Sequence, residues 1–126
     1  MPSPILVVDD EAPIVAMIEE VLLDEGYAVV TALSGERALA LLDDARPALI
    51  LCDVMMPGIG GVELCQRLRA DPRWSTIPVI LISAAKEADA LREACEYAAF
   101  LSKPFALDAL LATIAAHLPV AADTGC

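Results

Sequence analysis

Positive charge is scarce in this chain. Lys and Arg total 8 against 19 Asp and Glu, a formal net charge of −11. Nucleic-acid phosphates reward basic patches through counterion release, so this balance speaks against direct nucleic-acid contact. Histidine is nearly absent. His117 has no sequence partner for catalysis or metal binding, and it reads as a surface residue. The four cysteines, Cys52, Cys65, Cys95 and Cys126, form no CxxC and no Cys/His cluster. Small buried thiols in a reducing cytoplasm fit this pattern better than disulfides or zinc. Every apolar run is broken by Asp, Glu, Arg or Pro before it could span a bilayer. The opening "MPSPILVVDDE" turns acidic at once and offers no basic start for a signal peptide. These absences predict a cytoplasmic domain without membrane contact.

What remains is a 126-residue chain that is 58% hydrophobic, enough for one domain with a real core. The domain is expected over residues 1–118, with "PVAADTGC" (119–126) as a flexible tail or linker. Five short apolar runs recur: "PILVVD" (4–9), "YAVVTA" (27–32), "ALILCD" (48–53), "IPVILIS" (77–83) and "AFLSK" (99–103). They are continuous rather than alternating, as strands covered on both faces should be. Helical stripes fall between them. Ile14, Ile18, Val21 and Leu22 form the first, with Gly26 as its stop. Ala38, Leu41, Leu42 and Ala45 follow Ser34, a suitable N-cap. Val62, Cys65 and Leu68 form a third stripe before "ADPRWST". Residues 86–98 are alanine-rich, and Leu107, Leu110, Leu111 and Ile114 form the last stripe. Five strand–helix alternations predict an open parallel α/β sheet with helices on both faces.

In such a sheet, ligands bind beyond the carboxyl ends of the strands. The first run closes in Asp9-Asp10-Glu11, the third in Asp53, the fourth in Ser83 and the fifth in Ser102-Lys103-Pro104. Alone, Asp53 would read as a turn residue. With acids, a hydroxyl and an ammonium converging on one rim, it reads as chemistry. Clustered carboxylates repel unless a cation intervenes, and Mg²⁺ suits oxygen ligands of this kind. A carboxylate can also attack phosphorus to give an aspartyl phosphate. Mg²⁺, Lys103 and the Ser83 hydroxyl would then neutralise charge on the transferring oxygens.

The blocks "ILVVDDE", "LILCDVMMPGIGG", "IPVILISA" and "FLSKPF", in this order, resemble the receiver domains of two-component response regulators. The resemblance covers residues 4 to 118. It implies a doubly wound, five-stranded parallel sheet of strand order 2-1-3-4-5, the flavodoxin-like receiver fold, which the order's standard examples include. It implies that Asp53 accepts the phosphoryl group, that Asp9 and Asp10 hold Mg²⁺, and that the Met55 backbone carbonyl completes the metal shell. Ser83 matches the hydroxyl that turns towards the phosphoryl group, Lys103 the lysine that pairs with it, and Phe100 the switch aromatic. Pro104 matches a proline that usually follows a cis peptide, and Pro57-Gly58 and Gly61 match the turn into the third helix. The partners implied are a histidine kinase or phosphotransfer protein and a downstream protein target or fused output domain. The protein would be a monomer or a weak phosphorylation-dependent dimer, and it would catalyse only its own phosphotransfer and autodephosphorylation.

Two departures from the family pattern stand out. The spacing from Ser83 to Lys103 is slightly short, and "CEYAAF" replaces the usual glycine–alanine turn before the fifth strand. Two other functions stay in view. One is an unphosphorylated scaffold, whose usual mark is loss of an acid or the lysine, none of which is lost here. The other is an aspartate-nucleophile phosphohydrolase, which would want a second acid where Met55 stands.

Overall fold

The computed structural model describes residues 3–83 and 95–118. Five parallel strands form one sheet: β1 (Ile5–Val8), β2 (Val29–Ala32), β3 (Leu49–Asp53), β4 (Val79–Ser83) and β5 (Ala99–Ser102). Their order is β2-β1-β3-β4-β5, as the sequence predicts. Among the described residues there are four helices: α1 (Ala12–Asp24), α2 (Gly35–Ala45), α3 (Gly61–Ala70) and α4 (Leu107–His117). The alanine-rich stretch expected to be helical over 86–98 lies mostly outside the described residues, as do Ala85, the tail 119–126 and Cys126.

Side chains alternate across the sheet and split the core into two layers. Leu6, Val8, Ile50, Cys52 and Leu81 face α2 and α3. Ile5, Val7, Leu49, Leu51, Ile80 and Ile82 face α1 and α4. The continuous apolar runs are thus explained for β1, β3 and β4, which are buried along their whole length. The edge strands β2 and β5 are only half-buried, because each has one neighbour instead of two. Each fully buried Leu or Ile contributes roughly 1.5–3 kcal/mol of transfer free energy.

Helix ends follow the expected chemistry. Ser34 caps α2, its Oγ accepting from the Arg37 amide at 3.0 Å. Gly26 follows α1 with φ +90°, a conformation that only glycine adopts without strain. The stripes hold with three adjustments. Val15 and Leu64 are core residues the stripes left out, and Leu107, placed in the last stripe, is 40% exposed. It occupies the first turn of α4, before that helix rolls its apolar face onto the sheet. Trp74 is buried in the loop before β4 and fills core space, with the Arg73 guanidinium 5.2 Å above its ring.

α3 starts almost in contact with the end of β3. A Cβ on Gly61 would stand 2.8 Å from the Asp53 carbonyl oxygen and 3.0 Å from the Val54 Cα. Both neighbours are backbone, so neither can swing away. Gly61→Ala is therefore expected to lower stability by roughly 1–3 kcal/mol, the usual cost of overpacking. A denaturant midpoint equal to that of the native chain would show that the loop yields freely.

Candidate functional site

The strand register brings the polar rim together. Asp9 directly follows β1, its amide donating to the Ala32 carbonyl at 3.2 Å. Asp53 is the last residue of β3 and pairs with Ile82 of β4. Ser83 ends β4 opposite Ser102 of β5, and the Lys103 amide donates to the Ser83 carbonyl at 2.8 Å. Backbone pairing alone therefore fixes where Asp53, Ser83 and Lys103 leave the sheet. The Lys103–Pro104 peptide is cis, as the resemblance implied.

Carboxylate oxygens of Asp9, Asp10 and Asp53 all lie within 4.8 Å of one another. Asp9 and Asp53 are buried, while Asp10 is exposed to solvent. The Lys103 ammonium bridges the buried pair, with Nζ 3.2 Å from Asp53 Oδ1 and 3.6 Å from Asp9 Oδ2. Asp9 Oδ1 also accepts from the Glu11 amide at 2.9 Å, which orients its carboxylate. Hard oxygen donors in this number and proximity fit a small divalent cation such as Mg²⁺.

Electrostatics reflect the crowding. Burial, then the charge of Asp9, push the Asp53 carboxyl above the usual carboxylate range, and Asp10 adds to this. Lys103 pulls it down but does not offset the rest. Burial alone would lower the Lys103 ammonium, yet the carboxylates of Asp53 and Asp9 outweigh it and hold it above the ordinary lysine range. Cys52, next to Asp53, points to the opposite layer as expected. Its thiol is pushed strongly up by burial and by the neighbouring acids.

The remaining sequence candidates sit around this centre. Ser83 is buried at the strand tip. The Met55 side chain is 73% exposed beside the loop after β3, whereas Met56 packs on the α2/α3 core layer. Phe100, on β5, is half-buried, with its ring centroid 6.2 Å from that of Tyr97. Tyr97 is buried and was not singled out as functional from sequence. Its place in "CEYAAF", three residues before Phe100, was the available signal. His117 is partly buried late in α4, with Nδ1 2.8 Å from the Thr113 carbonyl oxygen, away from the acids. An apolar cleft of about 400 Å³, lined by Ile14, Met17, Lys103, Pro104 and Phe105, opens beside the lysine. A larger hollow of about 630 Å³ between α2 and α3, reaching Trp74, lies at the other end of the sheet and takes no part in the site.

Sheet order, acid cluster and lysine together define a receiver, and the chain belongs to the response regulator receiver domain family, whose pattern matches residues 5–115. It is 40% identical over 116 residues to the phosphate regulon transcriptional regulatory protein PhoB of Pseudomonas aeruginosa, covering 90% of this chain and 51% of that protein. It is 35% identical over 116 residues to the DNA-binding response regulator MtrA of Mycobacterium tuberculosis, covering 90% of this chain and 50% of that protein. The chain thus spans about half the length of these relatives. Among solved structures, the chemotaxis protein CheY4 of Vibrio cholerae superposes with a TM-score of 0.86 at 32% identity, covering 94% of this chain and all of that one. No described helix is long and apolar enough to cross a membrane.

The raised Asp53 carboxyl makes a stability prediction. A folded-state value above the unfolded one means stability that is complete below the unfolded pKa and lost as pH rises through the folded pKa. Asn mimics the neutral acid, so Asp53→Asn should melt higher than the native chain near pH 7 in chelator. The difference should fade as pH falls below the ordinary Asp range of about 3.9. A lower melting temperature for Asp53→Asn at neutral pH would show that the Lys103 pairing outweighs burial and repulsion.

Proposed function

We propose that this receiver is a phosphorylation-driven switch with Asp53 as its acceptor. The observation that carries the reading is the set of Asp9, Asp10 and Asp53 oxygens within 4.8 Å, with Lys103 bridging the two buried members. The donor is a phosphohistidine on a histidine kinase or phosphotransfer protein. An Asp53 oxygen attacks phosphorus, the P–O bond forms as the P–N bond breaks, and the imidazole keeps that electron pair and takes up a proton. Lys103 Nζ, already 3.2 Å from Asp53, pairs with one phosphoryl oxygen and the Ser83 hydroxyl donates to another. Asp9, Asp10, Asp53 and the Met55 backbone carbonyl are the groups that would hold Mg²⁺, which when bound neutralises charge on the transferring oxygens.

Loss of the phosphoryl group follows the reverse geometry. Water attacks phosphorus, the bond to Asp53 breaks, and the carboxylate returns as inorganic phosphate leaves. The Met55 side chain flanks that path. It cannot act as a base, so it does not speed hydrolysis by proton transfer. Met55 also supplies no general acid two residues past Asp53, which favours a switch over a phosphohydrolase that turns over small esters. In the phosphorylated state Ser83 moves inward and Phe100 follows it, which alters the surface offered to a downstream target. Since this chain spans about half the length of PhoB and MtrA, that target is either a separate protein or a fused output domain.

A small phosphodonor such as acetyl phosphate, with Mg²⁺, should add a single phosphoryl group, read by intact mass and removed by hydroxylamine as an acyl phosphate is. Asp53→Asn should take up none. Lys103→Met should lower the extent of labelling, because the fixed cation beside the acceptor is gone. Equal, hydroxylamine-labile labelling of native chain and Asp53→Asn would place the acceptor elsewhere.

A further inference from the structure

We propose that Cys65 and Cys95 form a reversible dithiol–disulfide pair that fastens the segment leading into β5 to α3. Cys65 lies on the buried face of α3, and its Sγ donates to the Glu96 carbonyl at 3.2 Å. Glu96 directly follows Cys95, which is buried in the same core layer. Cys65 and the residue next to Glu96, Cys95, therefore meet across this contact within one buried layer. Arg69, one turn further along α3, donates Nε to the same Glu96 carbonyl at 2.9 Å and Nη1 to the Ser75 and Ile77 carbonyls at 3.3 and 2.9 Å. The backbone beside Cys95 is therefore held against α3 from two points before any bond forms. Cys52, by contrast, donates its thiol to the Asp53 carbonyl at 3.4 Å.

The chemistry needs a two-electron oxidant, and hydrogen peroxide serves. Cys95, the less enclosed of the two, attacks a peroxide oxygen through its sulfur and gives its thiol proton to the departing oxygen. The O–O bond breaks, water leaves, and Cys95 becomes a sulfenic acid. Cys65 sulfur then attacks the Cys95 sulfur, the S–O bond breaks, and the Cys65 proton leaves with the hydroxide as a second water. Two thiols and one peroxide give one disulfide and two waters, with sulfur oxidised and peroxide reduced. Burial, then the Cys95 thiol, push the Cys65 thiol up to about 12. The bond closes a loop over residues 65–95 and lies next to Tyr97, whose ring packs against Phe100. It would thus join redox state to the strand that carries the proposed switch aromatic, while standing independently of phosphorylation at Asp53.

The test uses the reduced native chain, treated with hydrogen peroxide while folded, then unfolded in alkylating reagent. The expected result is a mass lower by two hydrogens before alkylation, loss of two alkylatable thiols, and a cross-linked peptide joining Cys65 to Cys95. Dithiothreitol should restore both thiols, and Cys65→Ala should divert Cys95 to oxygen-added forms. Retention of all four thiols, oxygen added to the native chain without a bridge, or a bridge between other cysteines would overturn the pairing.

Discussion

Three carboxylates with oxygens within 4.8 Å face, among the described residues, a single ammonium, that of Lys103. Two of the acids are buried, so solvent screens their repulsion poorly. The fold tolerates this only because the strain falls at strand ends, outside the hydrogen-bond ladder. The interior of each central strand is apolar and fully buried, and it secures the sheet irrespective of the charge at its tip. A divalent cation bound by these oxygens would relieve the repulsion. A transferred phosphoryl group would draw on the same lysine. The raised Asp53 carboxyl and the raised Lys103 ammonium therefore share one physical cause, the crowding of these acids.

Topology does the positioning. β1 lies between β2 and β3, so the chain reverses its direction of growth beside β1, and the crevice forms where β1 and β3 end. Asp9 and Asp53 thereby come from adjacent strands, whereas Lys103 arrives from the far edge, after β5, and reaches back over Ser83. The close approach at Gly61 brings the start of α3 against the Asp53 backbone, so displacement of the loop after β3 would be felt in that helix. β5, only half-buried and carrying Phe100 beside Tyr97, is the least constrained strand next to the site.

Much of this was legible in the sequence, for identifiable reasons. Continuous apolar runs ending in Asp9, Asp53, Ser83 and Lys103 gave both the parallel sheet and the convergent rim, because strand ends in such a sheet share one edge. Ser34 and Gly26 marked helix boundaries through local chemistry that tertiary packing did not override. Other features were hidden because they depend on contacts distant in sequence. Leu64 and Val15 are core residues whose burial depends on how each helix rotates on the sheet, and Leu107 is exposed for the same reason. The contact of the Cys65 thiol with the backbone beside Cys95 and the Arg69 clamp on Glu96 both join segments that sequence spacing does not connect. The edge strands looked as apolar as the central ones, so their half-exposure could not be read from composition.

The account depends most on the acids being a strained, metal-completed site. The direct measurement is a set of melting curves for the native chain and Asp10→Asn, each with Mg²⁺ and with chelator. In chelator, Asp10→Asn should melt higher, because Asp10 is one of the charges that push the Asp53 carboxyl up. Mg²⁺ should stabilise the native chain by roughly 2.7 kcal/mol at a hundredfold excess over its dissociation constant, and Asp10→Asn by distinctly less. If Asp10→Asn melts lower in chelator and Mg²⁺ shifts both proteins equally, the acids are not such a site and the phosphoryl-transfer reading loses its basis.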